Sequence, residues 1–516
     1  MSAIRFRAGV SWLLLLFCVG GDSTSTECAV PPHSSQTQTP PSSGASSSPH
    51  DATPRYYIYP LPEKIWWIYP SAEENCPREF TTRAVNSGLG PTLDLRYGLF
   101  NTWHHSLHSS LYNRLKRSHH RTMDPEEASL FIIPYDNWLY YVMSTSKCNQ
   151  GKYNNEDYFN VVAATVSESV YYQRHDGRDH LYIHSAVSDI RARVSPSKKL
   201  HVDFCQHCFK TCYWHQAKSH QTWISMPFPS MFHYHDAIQY IPWDFSRRTG
   251  REVLVTYMGS VRRGGGKEVR TKIAALCAAS AQCKSVIYAM KEANELTNSV
   301  ALVPGSGIRH RRSAVPQVLA YYHSVFCLTP PGDDPTRRGL IDAILAGCIP
   351  VTFNPNTLLN QLPLHLTPIE AQGIGVYIPL DTIMQMENLM DVLNSIPPDI
   401  IAKKQCLIAQ IAPRLQYSVP PVNYMEAHTD ERKWDPPFAD AVDVMLRNMS
   451  TLAAARIAYV NNSVTSRRSR RGKGKSRELD MFGHSHPSLR VDLASSPVQF
   501  FSHYNMTTYQ GAAMLL

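Results

Sequence analysis

Val325-Phe326-Cys327-Leu328-Thr329-Pro330-Pro331-Gly332-Asp333-Asp334-Pro335-Thr336-Arg337-Arg338-Gly339-Leu340-Ile341-Asp342-Ala343-Ile344-Leu345-Ala346-Gly347-Cys348-Ile349-Pro350-Val351 changes its pattern several times along its length. Val325 to Leu328 is a short continuous apolar run, the pattern of a strand buried on both faces. Pro330 to Pro335 is dense in turn formers, and Thr336 stands where a helix N-cap belongs. From Arg337 to Ala346, Leu340, Ile341, Ile344 and Leu345 recur at helical spacing. Gly347 sits where a helix stops, and Ile349, Val351 and Phe353 resume an extended, β-branched pattern. The stretch is predicted as one strand-loop-helix-strand unit of a parallel sheet, which makes the fold α/β.

Such a unit places its loop at the carboxyl end of a strand and the amino end of a helix, where α/β folds bind ligands. Arg337 and Arg338 occupy the first helical turn, where the helix dipole favours anions over cations. A bound diphosphate would account for both arginines and for the helix N–H groups behind them. The alternative is that Arg338 pairs with Asp342 four residues on, a contact worth about 0.2–0.5 kcal/mol.

The chain has 516 residues, enough for two domains and extensions. Its net charge of +9 is not spread over the fold, because Arg467, Arg468, Arg470, Arg471, Lys473, Lys475 and Arg477 lie together. The remainder is nearly neutral, which excludes nucleic acid as the main partner. At the amino terminus Arg5 and Arg7 precede an apolar run from Val10 to Val19, then Gly20 and Gly21. Residues 1–22 are predicted as a signal peptide or a short type II signal-anchor, so that the rest faces the secretory lumen. The run is shorter than the roughly 20 residues of an ordinary spanning helix. Twelve cysteines, ten of them from Cys76 to Cys406, then imply several disulfides. Glycosylation sequons at Asn448, Asn461 and Asn505 are expected on an exposed lumenal tail.

Residues 23–54, rich in Ser, Thr, Pro and Gln, cannot build a core and suit a stem. Two domains are expected, 55–245 and 246–455, with a hinge over Ile241 to Arg251. A basic, largely disordered tail, 456–516, would follow, disordered over Val464 to Leu479 and with Arg467 to Arg471 open to proteases. Residues 96–118 are predicted as a helix with Tyr97, Phe100, Trp103, Leu107, Leu111 and Leu115 inward. Its His104, His105 and His108 are expected at the surface, since no H-E-x-x-H motif accompanies them. Leu130 to Pro134 is a buried strand, and Asp136 just beyond it serves either chemistry or a turn. A helix over Tyr158 to Arg174 leads to Gly177-Arg178-Asp179-His180 and a strand from Leu181 to His184. Cys205, Cys208 and Cys212, with His201, His207 and His215, have the spacing of a zinc cluster, but an oxidising lumen favours disulfides. A strand from Val253 to Ser260 runs into Arg262, Arg263 and three glycines, yet Glu268 after Lys267 breaks the P-loop order. A helix from Lys267 to Cys277, a strand over Gly375 to Pro379, and helices Ile383 to Leu393 and Ile400 to Ile411 complete the alternation.

Phe326-Cys327-Leu328-x-Pro330-x-Gly332-Asp333-x-x-Thr336-Arg337-Arg338-x-x-x-Asp342-x-Ile344-Leu345-Ala346-Gly347-Cys348-Ile349-Pro350-Val351 resembles the signature of exostosin-type glycosyltransferases, family 47. Its wording is most similar to the plant xyloglucan galactosyltransferase branch. Further matches follow in family order: Arg121-Thr122-x-Asp124-Pro125-x-x-Ala128 with Phe131 and Pro134, Gly177-Arg178-Asp179-His180, Arg251 with Gly259, and Arg270 with Cys277 and Cys283. Together they span about residues 55–420.

The resemblance implies a GT-B fold, two Rossmann-like domains facing across a cleft, and an inverting transfer from a UDP-sugar, galactose among the candidates, to a polysaccharide or glycan. It makes the carboxy-terminal domain the donor site: Asp342 for the ribose hydroxyls, Arg262, Arg337 and Arg338 for the diphosphate, with Gly332 and Asp333 in the binding loop. Cys327 and Cys348 match family cysteines of structural character. The base that takes the acceptor proton is expected among His180, Asp179 and Asp136, in that order. No D-x-D triplet occurs in the chain, so no metal or other cofactor is expected; arginines and helix amides can stabilise the leaving diphosphate. Golgi membrane attachment through the amino terminus and association with other transferases complete the expected partners. The alternative is a non-catalytic lumenal subunit that stabilises or targets a partner transferase.

Overall fold

In the computed structural model of the protein, the described residues are 53–61, 89–136, 155–185, 205–213, 222–241, 243, 251–259, 266–287, 320–332, 335–359, 361–420 and 433–471. The expected leader and nearly all of the stem lie outside them. No helix among the described residues is long and apolar enough to cross a membrane.

The first half runs through β1 (Tyr56–Ile58), an antiparallel pair β2 (Thr92–Asp94) and β3 (Leu99–Phe100), α1 (Leu107–Arg117), β4 (Arg121–Thr122), β5 (Leu130–Ile133), α2 (Asn155–Ser167), α3 (Val170–His175), β6 (His180–Tyr182), β7 (Phe209–Cys212) and β8 (Trp223–Ser225). Six strands form one sheet in the order β4-β1-β5-β6-β7-β8, every pair parallel. All four residues of β5 are buried, as a strand covered on both faces requires.

The helix expected over 96–118 forms only from Leu107. Gly98 adopts φ +63°, and a Cβ there would lie 2.3 Å from the His233 carbonyl oxygen. Phe100 N–H donates to Met231 O at 2.9 Å and His233 N–H to Gly98 O at 2.9 Å. Pairing with a distant segment outweighs the local helical spacing. His108 is accordingly buried in α1, its Nε2 donating to Pro134 O at 3.1 Å, with burial holding its pKa down at about 4. The helix expected over 158–174 is likewise two: Ser169 accepts from Tyr171 N–H and caps α3 separately.

The second half contains β9 (Val253–Gly259), α4 (Lys267–Ala278), β10 (Cys283–Ile287), β11 (Ser324–Thr329), α5 (Arg338–Leu345), β12 (Ile349–Thr352), α6 (Asn356–Leu359), α7 (Pro368–Gly373), β13 (Val376–Tyr377), α8 (Leu380–Gln385), α9 (Leu389–Asn394) and α10 (Pro398–Ile411). Its five strands, ordered β10-β9-β11-β12-β13, are also all parallel. The decisive unit thus folds as read, except that Arg337 rather than Thr336 takes the N-cap position of α5. Gly347 follows α5 at φ +67°. Disulfides Cys277–Cys283 and Cys327–Cys348 tie α4 to β10 and β11 to the start of β12. Arg251 Nη2 donates to Ala346 O at 3.0 Å and Nη1 to Tyr321 O at 3.1 Å, so that family-matched arginine fastens the amino ends of this sheet.

Cys205 and Cys208 form a third disulfide, which takes two of the three sulfurs a zinc cluster would need; Cys212 is buried on β7. Among the described residues no group of three His, Cys, Asp or Glu side chains is placed to hold a metal ion.

A last helix, α11 (Ala441–Arg471), returns to the first half. Arg114 of α1, with 1% of its side chain exposed, contacts Asp435 at 2.5 Å, Asp440 at 3.2 Å and Asp443 at 3.0 Å. The tail expected to be disordered from 456 is therefore helical to Arg471, because no Gly or Pro interrupts the run between Asp443 and Arg471. Asn448 belongs to this helix and not to an exposed tail, its Nδ2 donating to Val444 O at 2.9 Å and Leu364 O at 3.4 Å. Asn461 is exposed on α11, and Asn505 lies outside the described residues.

Candidate active site

The order of the second sheet reverses between β9 and β11. From β9 the chain crosses through α4 to β10 on one side, and from β11 through α5 to β12 on the other. The carboxyl ends of these two neighbours are where a doubly wound sheet opens a crevice for a ligand. Two loops meet there, both marked by the sequence. Gly266, at φ +77° before α4, would carry a Cβ 2.5 Å from Pro331 O, so only glycine allows this approach. Arg270 Nε donates to the same carbonyl at 2.8 Å. The glycine turn is thus seated against the 330–332 loop. Arg262 and Asp333 fall outside the described residues.

In that loop the Arg337 guanidinium lies over Gly332, where an added Cβ would be 1.8 Å from Nη2. Arg337 is extended, at φ −151° and ψ 149°, and its side chain does not cap α5. The amino end of α5 therefore has no side-chain cap, although Leu340 N–H donates to Arg337 O at 3.1 Å, and two arginines stand at that end. Arg338 reaches both ways: Nη1 donates to Thr102 O of the first half at 2.9 Å, and Nε lies 3.2 Å from Asp342 Oδ2.

Asp342 is 1% exposed. Ser230 Oγ donates to its Oδ1 at 2.6 Å and Met231 N–H at 3.3 Å. Burial holds its carboxyl above the usual carboxylate range, against the pull of Arg338 and Ser230. Oδ2 is in charge contact with Arg338 but outside hydrogen-bond geometry, and buried Thr336 Oγ1 and Tyr257 OH also lack a hydrogen-bond partner. Two buried hydroxyls without a hydrogen-bond partner, on β9 and just before α5, leave polar capacity in the second half. The i,i+4 pair weighed as the alternative does form; the same two residues also join the halves.

The first half presents its own carboxyl edge. Ser225, ending β8, donates through Oγ to Gln361 O beyond β12, and Tyr417 OH donates to Pro227 O at 2.6 Å. Asp136, past β5, is fully buried and accepts from Ser185 N–H at 3.2 Å and from Ser185 Oγ, past β6. His180 and Asp179 are elsewhere. His180 opens β6 in register with Phe131, five residues before Asp136 on parallel β5. Its Nδ1 lies 2.7 Å from Asp179 Oδ1 and its Nε2 2.8 Å from Tyr59 OH, and its ring stacks on Phe131 at 4.8 Å. Burial lowers its pKa, which keeps the ring neutral. The structure does not bring Asp136 together with the His180–Asp179 pair.

Sequence reasoning missed Thr102, His105 and Ser230. Thr102 and Ser230 are short polar residues in loops, and only contacts with Arg338 and Asp342 mark them. His105 had a signal, a His-His pair after Trp103, but no spacing in the sequence ties it to Ser185.

Two parallel α/β sheets opposed by their carboxyl edges, one of them with a reversal point between β9 and β11, make the two-domain arrangement of the GT-B fold class. The Exostosin GT47 domain family matches residues 53–395, and the chain belongs to that family. A probable xyloglucan galactosyltransferase, GT17 of Arabidopsis thaliana, is 26% identical over 412 residues, 77% of this chain and 82% of that protein. The xyloglucan galactosyltransferase MUR3 of the same plant is 27% identical over 238 residues, 46% of this chain and 35% of that protein. A glycosyltransferase structure from Rickettsia africae aligns with a TM-score of 0.31 and 11% identity, covering 54% of this chain and 70% of that one. At that level the likeness adds no weight to the fold, which rests on the sheet topology.

Proposed function

We propose that the protein is an inverting glycosyltransferase that moves a sugar, galactose by analogy with its relatives, from a UDP donor to a polysaccharide or glycan acceptor. The observation that carries this is the meeting of Gly332, Arg337, Arg338 and Asp342 at the reversal point between β9 and β11. The uncapped amino end of α5 and its two arginines suit the diphosphate, whose charge grows as the glycosidic bond breaks. Neither group needs a metal to act. Asp342 Oδ2 suits a ribose hydroxyl. The acceptor and its base then belong to the opposing carboxyl edge. The disulfides among the described residues are consistent with an oxidising lumen, in keeping with a Golgi location.

UDP is expected to raise the melting temperature of the purified chain, by about 2.7 kcal/mol of linkage at one hundred times its Kd. Asp342→Ala should abolish that shift while leaving a cooperative melt. An unchanged shift would remove Asp342 from the donor site. A screen of UDP-sugars scored by UDP release identifies the sugar, and failure of every UDP-sugar would overturn the enzymatic assignment.

A further inference from the structure

The proposed transfer requires a group that takes the acceptor proton. His180 and Asp179 are sealed in the first half with both ring nitrogens engaged, and both oxygens of Asp136 accept from Ser185. The loop between β3 and α1 holds another histidine. His105 Nδ1 lies 3.1 Å from the Ser185 carbonyl oxygen. A carbonyl accepts and never donates, so Nδ1 carries the hydrogen and Nε2 of the neutral ring carries the lone pair. Ser185 is itself held by Asp136 through its N–H and its hydroxyl. Carboxylate, serine and imidazole thus make a base oriented by further groups.

Position agrees with orientation. His105 is half-buried, and its ring centroid lies 4.2 Å from that of exposed His104, 5.0 Å from Trp103 and 6.2 Å from Tyr213. Three residues earlier on the same loop, Thr102 O accepts from Arg338 Nη1. The loop therefore connects the amino end of α5, where the diphosphate is proposed, to the Asp136 edge of the first half. Among the described residues, the charged and titratable groups around His105 include His104, Tyr213, Asp136 through Ser185, and Arg338 through Thr102.

We infer that His105 is the general base of the transfer, an assignment that rests on the donor site proposed above. Nε2 takes the proton of the acceptor hydroxyl as its oxygen bonds to the anomeric carbon. The bond from that carbon to the diphosphate oxygen breaks with its electron pair on UDP. The imidazolium then returns its proton to solvent.

The test uses the full chain, with the donor selected by UDP release and its acceptor. His105→Ala and His105→Asn should lose about 10²–10⁴-fold in kcat while keeping the UDP-induced melting shift. The wild-type rate should fall as pH drops through the histidine range, that limb should vanish in both variants, and added imidazole should restore part of the His105→Ala rate. A kcat within about threefold of wild type, or an unchanged acid limb, would overturn the assignment. Should a variant also lose the UDP shift, imidazole decides: recovery supports the base role and no recovery refutes it. Failure of the donor site shows separately, as an absent UDP shift in the wild-type chain.

Discussion

Replacing Arg114 by methionine leaves three carboxylates around a side chain that no longer carries charge. Arg114 is the cation that α1 supplies to Asp435, Asp440 and Asp443 at the start of α11, and the three contacts fasten the last helix to the first half. Removing one partner of a buried ion pair destabilises by about 3–5 kcal/mol. Asp435 loses least, since His119 N–H and Nδ1 still donate to it at 3.0 Å and 2.8 Å. Asp440 keeps the N–H groups of Ser418, Val442 and Asp443, whereas Asp443 keeps that of Asp440. The loss should therefore lie near the lower end, roughly 3 kcal/mol at neutral pH. Burial already holds Asp440 above the ordinary carboxylate range, outweighing the pull of Arg114, and removing the guanidinium raises it further. A carboxyl whose folded pKa exceeds its unfolded value, about 3.9, destabilises when ionised, and stability returns as pH falls through the folded pKa. The deficit should be full at about pH 7.5 and smaller at about pH 5. Denaturant midpoints of both chains at the two pH values measure it. A loss below about 1 kcal/mol, or an equal loss at both pH values, would refute the buried-network account.

Two further outcomes are expected. The double variant Cys327→Ala, Cys348→Ala opens a crosslink between residues 21 apart in sequence and should lower stability by about 2–4 kcal/mol; an unaltered denaturation midpoint would show that packing of β11 on β12 suffices. Gly332→Ala puts a methyl 1.8 Å from Arg337 Nη2, so the guanidinium must move while the fold holds. UDP titration should show roughly tenfold weaker binding, ~1.4 kcal/mol, and unchanged affinity would exclude a role for that arginine position.

Local periodicity was sufficient for the strand-loop-helix-strand unit, because Phe326 to Val351 buries apolar residues at spacings that only one alternation satisfies. The glycine turn before α4 was visible as a turn from composition alone, but that Gly266 lies against Pro331 O is a close approach only the tertiary structure shows. Where the chain meets a distant segment, the same reasoning failed. Tyr97, Phe100 and Trp103 kept a helical spacing although Gly98 and its contacts with His233 made strand and turn there. Ala441 to Arg471 reads as increasingly polar, yet Arg114 anchors its beginning from more than three hundred positions away in sequence. The pairing of Asp342 with Arg338 was legible from their spacing of four residues. That Ser230 holds Asp342, that Thr102 holds Arg338, and that His105 meets Ser185 were decided by tertiary structure, because hydrogen bonds between distant segments carry no sequence period.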